Sequence, residues 1–197
     1  MKKIITALFC FTITTTAAQA SILKLGARAG GGLSHLNAAK DSSAYKDLNL
    51  KANLGYQVGA FGRFNLLLFH IQPEILFTGF GATYEPGKQR TQLSFKKIDI
   101  AALGGFSFLL GLFRIQFGPV ASFLLSAVEG DKSIQDDYKP AALGYQIGFG
   151  ADFLNLVFDV RYAGSLTQFG TDNSSIGTDH GYGLWMVSIG VNLFKLL

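Results

Sequence analysis

Polar and apolar side chains alternate along FHIQPEILF, residues 69–77. His70, Gln72 and Glu74 share one parity; Phe69, Ile71, Pro73, Ile75 and Phe77 share the other. Successive side chains of an extended backbone point to opposite faces, so this pattern gathers the three polar groups on one side of a strand. A helix would scatter them around its circumference. One strand alone does not say which of its faces is the wet one.

The alternation recurs over residues 23–33, 48–64, 98–108, 113–125, 143–153, 156–166 and 183–193. Across all eight spans the apolar parity carries no Asp, Glu, Lys or Arg. Antiparallel sheets in water also alternate, but lipid enforces the rule much more strictly. A Lys or Arg on the lipid face at the bilayer midplane costs about 2–4 kcal/mol. Strands of about 9–11 residues suit a tilted crossing of the hydrocarbon layer. Short turns are expected near Leu66–Leu67, Leu109–Gly111 and Leu154–Asn155, and long polar loops at 37–47, 83–94, 127–140 and 167–181. Short turns at one end and long loops at the other are the pattern of an outer-membrane barrel whose turns face the periplasm. Sheet edges cannot be left open in hydrocarbon, so the first and last strands must pair. The predicted fold is all-β: an eight-stranded antiparallel up-and-down transmembrane β-barrel. Phe64, Phe69, Phe108, Phe113 and Phe153 fall beside the short turns, and Phe77, Tyr145, Tyr162 and Trp185 fall towards the other end, as two interfacial girdles would. Pro73 and Pro119 each lack a ladder donor, and a bulge is expected at each.

Composition agrees with a membrane phase. Charged residues make up 15% of the 197, against about a quarter in soluble domains. No run of about 18 apolar residues offers a transmembrane helix. Residues 1–20, MKKIITALFCFTITTTAAQA, combine Lys2 and Lys3, a short apolar core and the small-x-small site Ala18-Gln19-Ala20. That is the layout of a secretory signal peptide, with cleavage expected after Ala20 and a single barrel domain over 21–197. The single cysteine, Cys10, lies in this leader, so the mature chain has no thiol chemistry. Loss of Lys2 and Lys3 takes the formal charge from +4 to +2, too little to suggest a nucleic-acid partner.

The polar parity predicts the lumen lining: Lys24, Arg28, Lys51, Asn53, Gln57, Arg63, His70, Gln72, Glu74, Asp99, Arg114, Gln116, Asp152, Asp159, Arg161 and Asn192. Buried charges are tolerable only when paired and hydrogen-bonded, so mixed signs imply a salt-bridged plug. A two-residue turn at Leu66–Leu67 would set Arg63 opposite His70. Inward glycines, among them Gly148 and Gly150, leave room for long neighbouring side chains. No catalytic, metal or cofactor site is predicted. GARAGGG (26–32) lacks the Lys-Ser/Thr ending of a phosphate loop, and His35, His70 and His180 lack metal-ligand spacing. Ser34-His35, Ser174-Ser175 and Asp179-His180 could meet at the outer rim, which keeps a lipid-modifying enzyme as an alternative. A small-solute channel and a soluble barrel with an apolar interior are the others.

Three stretches carry a family resemblance: IQPEILF (71–77), Gly118-Pro119 followed by SFLLSA (122–127), and FDVRYAGSLTQF (158–169). With these the mature chain resembles the PorT-like outer-membrane β-barrels, often labelled porin family proteins. The resemblance implies a small barrel, and one group of that family is linked to protein secretion and gliding motility. The expectation is a non-enzymatic outer-membrane protein of a Gram-negative bacterium. Lipopolysaccharide and phospholipid would surround it, and an extracellular or secretion-system protein is a conceivable partner for its loops.

Overall fold

Alternating runs this long satisfy their backbone groups only by pairing with neighbours, and nearly every described residue is in a strand. The computed structural model describes residues 21–37, 51–84, 91–129, 132–133, 140–167 and 181–196. The expected leader and half or more of each long loop lie outside these residues. The strands are β1 (Leu23–Asn37), β2 (Lys51–Leu66), β3 (Phe69–Tyr84), β4 (Thr91–Phe108), β5 (Phe113–Glu129), β6 (Lys132–Ser133), β7 (Ala141–Phe153), β8 (Leu156–Ser165) and β9 (Gly181–Leu196). All pairings are antiparallel. The sheet runs β4-β3-β2-β1-β9-β8-β7-β5, and β4 pairs back onto β5, which closes the wall as an eight-stranded barrel. β6 adds only two rungs to the outer end of β5.

Burial is inverted relative to a soluble protein. On β7 the apolar Leu143, Ile147, Phe149 and Phe153 are exposed, whereas Gln146 and Asp152 are buried. Similarly, Ile71 and Ile75 face outward on β3 while His70, Gln72 and Glu74 face the axis. The aromatic groupings follow the expected girdles. Phe108, Phe113 and Phe149 pack together near the short-turn end, and Tyr162 packs against Tyr145 and Trp185 nearer the other.

Several local expectations need correction. The β2–β3 turn is Leu67–Leu68, with Leu66 opposite Phe69 and Asn65 opposite His70, so Arg63 does not face His70. Moving a turn by one residue shifts the pairing by two and leaves every side chain on its own face, so alternation cannot distinguish the two registers. The β4–β5 turn spans four residues, Leu109 to Leu112, and only the turn at Leu154–Asn155 stands as expected. Neither Pro73 nor Pro119 carries a bulge. Phe61 pairs Glu74 and Phe64 pairs Ile71 without a register change, and Ala101–Val120 continues evenly to Gly104–Phe117. A missing N–H removes one rung; it does not force an extra residue into the strand. The register shifts lie instead at Leu25/Gly26, Ala52/Tyr56 and Lys96/Lys97. Parts of two expected loops are strand as well, since β3 runs to Tyr84, β4 starts at Thr91 and β5 reaches Glu129.

The lumen is also less uniformly polar than expected. Towards the long-loop end, Phe80, Phe95, Leu124, Ala127, Ala142, Leu184 and Met186 form a buried apolar cluster, with the Phe80 and Phe95 rings stacked at 5.3 Å. Leu184 and Met186 share the parity of Ser188 and Asn192. That parity means only "away from lipid", and an interior can be filled by either kind of side chain.

Candidate functional site

The polar half of the lumen is built from one side chain after another that the alternation turns inward. Arg28 comes from β1, Arg63 from β2, Gln72 and Glu74 from β3, Arg114 from β5, Asp152 from β7 and Asp159 with Arg161 from β8. All are buried. Glycines on facing positions make this possible. A Cβ at Gly150 would strike the side chains of Arg114 and Asp159, and one at Gly148 would strike the stem of Arg161.

These groups join in a closed circuit. Arg28 Nη1 donates to Glu74 Oε1 at 3.1 Å, and Gln72 Nε2 donates to the same oxygen at 2.5 Å. The Gln72 side-chain oxygen Oε1 accepts from Arg63 Nε, and Arg63 Nη1 donates to Asp152 Oδ2 at 2.5 Å. Arg114 bridges Asp152 and Asp159 with its two terminal nitrogens. Asp159 Oδ2 lies 3.4 Å from Arg28 Nη2, which completes the ring. The circuit therefore crosses the lumen from β1–β3 to β5–β8 and back.

Two further cations attach to it. Arg161 grips Glu74 with both terminal nitrogens, at 2.7 and 2.9 Å, and reaches Asp159 at 3.3 Å. Paired forks of this kind are the strong form of the Arg–carboxylate bond. With its amide turned so that the oxygen faces Arg161, Gln116 accepts from Arg161 Nε at 3.1 Å. Lys24 sits 3.4 Å from Asp152. The Arg63 guanidinium also lies over the Phe61 ring, 5.7 Å from its centroid.

A smaller cluster lies nearer the long-loop end. Asp99 pairs with Lys97 at 2.8 Å and accepts from Thr78 Oγ1 at 2.7 Å and from Ser122 Oγ at 2.5 Å. Thr78 in turn accepts from Gln57 Nε2 at 3.0 Å. Because this hydroxyl serves two buried partners, Thr78→Val is expected to lower stability by about 1–3 kcal/mol. Denaturant titration of the refolded barrel measures it, and an unchanged midpoint would mean that solvent reaches Asp99.

Lys97 belongs to this site although it lay outside the expected strand at 98–108. The signal was present, since Lys97 has the parity of Asp99. Of the other expected lumen residues, His70 stands apart from the circuit, with Nδ1 3.2 Å from Ser107 Oγ. Asn53 is half-buried and Asn192 is buried. Lys51 begins β2, and its side chain lies outside the described residues. Of the residues expected at the outer rim, only the Ser34 side chain lies within the described residues. The Ser34 hydroxyl lies 2.6 Å from the Gly81 carbonyl and 3.1 Å from that of Asn53. Ser174, Ser175, Asp179 and His180 lie outside the described residues. Among the described residues no three His, Cys, Asp or Glu side chains form a metal-binding group.

Comparisons with known proteins agree with the barrel. The family model of the outer membrane protein beta-barrel domain matches residues 17–169. No curated protein matches the chain significantly. Among solved structures, that of Neisserial surface protein A is similar with a TM-score of 0.57 at 13% identity, covering 86% of this chain and 97% of that one. The attachment invasion locus protein Ail of Yersinia pestis is similar in two structures. One is a complex with the heparin analogue sucrose octasulfate, at TM-score 0.48, 17% identity and 86% and 97% coverage. The other has TM-score 0.47, 14% identity and 85% and 97% coverage.

Proposed function

The chain belongs to the outer membrane protein beta-barrel domain family, and we propose that it serves there as a non-enzymatic surface protein with a sealed lumen. The barrel sits in the bacterial outer membrane. The observation that carries the proposal is the Arg–carboxylate circuit spanning the interior, with the apolar cluster stacked beyond it towards the long-loop end. An open pore would need water along the axis. Here one half of the interior is knitted by ion pairs and the other holds Phe80, Phe95, Leu184 and Met186.

With the interior closed, the surfaces left for action are the lipid belt and the outer loops. Ile71, Ile75, Ile147, Phe149, Val187 and Ile189 present exposed apolar side chains to lipopolysaccharide and phospholipid chains. The loops, with Tyr45 and Tyr138 among mixed charges, would make the protein contacts, with Tyr84 at the end of β3 beside them. The QPE strand and the FDVRYAGSLTQF stretch support placing the chain near the PorT-like barrels, where a secretion-system partner would dock on these loops.

Single-channel recording in planar bilayers tests the seal. The refolded barrel is expected to give no steady openings. Reproducible conductance steps would replace this reading with the small-solute channel.

A further inference from the structure

The circuit that blocks the lumen is electrically unbalanced. Lys24, Arg28, Arg63, Arg114 and Arg161 supply five positive charges, while Glu74, Asp152 and Asp159 supply three negative ones. Among the described residues the connected network is thus two charges positive. Arginine does not relieve this by losing its proton. Burial without compensation is heavily disfavoured.

A second observation concerns the hydrogen bonds. Each of the three arginines that close the circuit keeps one buried nitrogen without a partner among the described residues: Arg28 Nε, Arg63 Nη2 and Arg114 Nε. Shared carboxylates hold the three guanidiniums close together. Arg63 and Arg114 bind the two oxygens of Asp152, and Arg114 and Arg28 contact the two oxygens of Asp159. Unpartnered donors on three cations linked through the same carboxylates are what an anion requires.

We propose that the Arg28–Arg63–Arg114 ring is a binding site for a small monatomic anion of the halide class. A halide suits the site better than phosphate or sulfate, because the oxygens of a polyatomic anion would be set against the Glu74, Asp152 and Asp159 carboxylates. The ion supplies the missing negative charge and the missing acceptor together, and so fixes the circuit in one arrangement.

Bromide is the probe. Crystals of the mature barrel grown in sodium bromide should show an anomalous peak in contact with Arg63 Nη2 and with Arg28 Nε or Arg114 Nε. In detergent solution, bromide-81 NMR should show line broadening that saturates. Arg63→Gln should abolish both signals. Lys24→Met leaves every link of the ring intact and removes one excess charge, so it should raise the half-saturating bromide concentration on the order of tenfold. It also carries the test if Arg63→Gln fails to fold. An ordered water at the ring without anomalous signal, bromide found only as an adventitious ion on the outer surface, or a Lys24→Met titration identical to wild type would each overturn the site. The proposal builds on the closed lumen, but the two fail separately. Conductance reports the seal, and bromide occupancy reports the ion.

Discussion

Ile189→Arg is expected to destabilise the folded barrel by about 2–4 kcal/mol, and Val58→Arg by a similar amount. Both residues are about half exposed and lie midway along their strands, where Ile189 pairs with Ala29 and Ala29 with Val58. A soluble protein would accept arginine at half-exposed positions with little loss, because the charge would stay in water. Here the exposed face meets acyl chains, and the guanidinium must snorkel or thin the bilayer. Depth provides the internal control. Leu193 is 71% exposed but only three residues from the end of β9, so Leu193→Arg should cost about 0–1 kcal/mol. Reversible unfolding in lipid vesicles measures all three. Equal costs at the middle and at the end would mean that lipid does not contact this face.

The lipid constraint also explains what was readable from sequence. Exclusion of charge from one parity fixed the facing of Ile71 against Gln72, or of Ile189 against Ser188, because a wrong facing carries a penalty at every position. Register carried no such mark. Pairing Arg63 with His70 or with Gln72 leaves both inward, so the hydrophobic pattern is silent, and only turn geometry decides. The content of the interior was half legible for a related reason. Leu184 and Met186 have the inward parity, yet nothing in the alternation separates an apolar filling from a polar one. Lys97 was hidden by its neighbour Lys96. Two adjacent lysines look like a loop, although an alternating strand turns one to each side. The circuit itself could not have been read at all, because its links join residues up to 131 positions apart in a closed order that only the barrel's curvature creates (Arg28 to Asp159 is the longest).

Glu74→Ala is expected to be the most damaging single change in the lumen, at about 3–5 kcal/mol. It removes an acceptor of both terminal nitrogens of Arg161, of Arg28 Nη1 and of Gln72 Nε2. All these donors are buried, so water does not replace the lost oxygens. Size alone would give a different order. Arg161 is the larger side chain and at least as well buried, so by volume Arg161→Met should be comparable or worse. Charge reverses that ranking. Loss of Glu74 takes the network further from balance, whereas loss of Arg161 moves it closer and leaves Glu74 paired with Arg28. Arg161→Met should therefore be the milder of the two by at least about 1 kcal/mol, within the range that separates breaking a buried pair from replacing a charge by a well-packed apolar group. Denaturant midpoints with unchanged slopes give the comparison directly. If Arg161→Met proves as costly as Glu74→Ala, packing rather than charge governs the septum, and the excess positive potential inferred for the ring is not there.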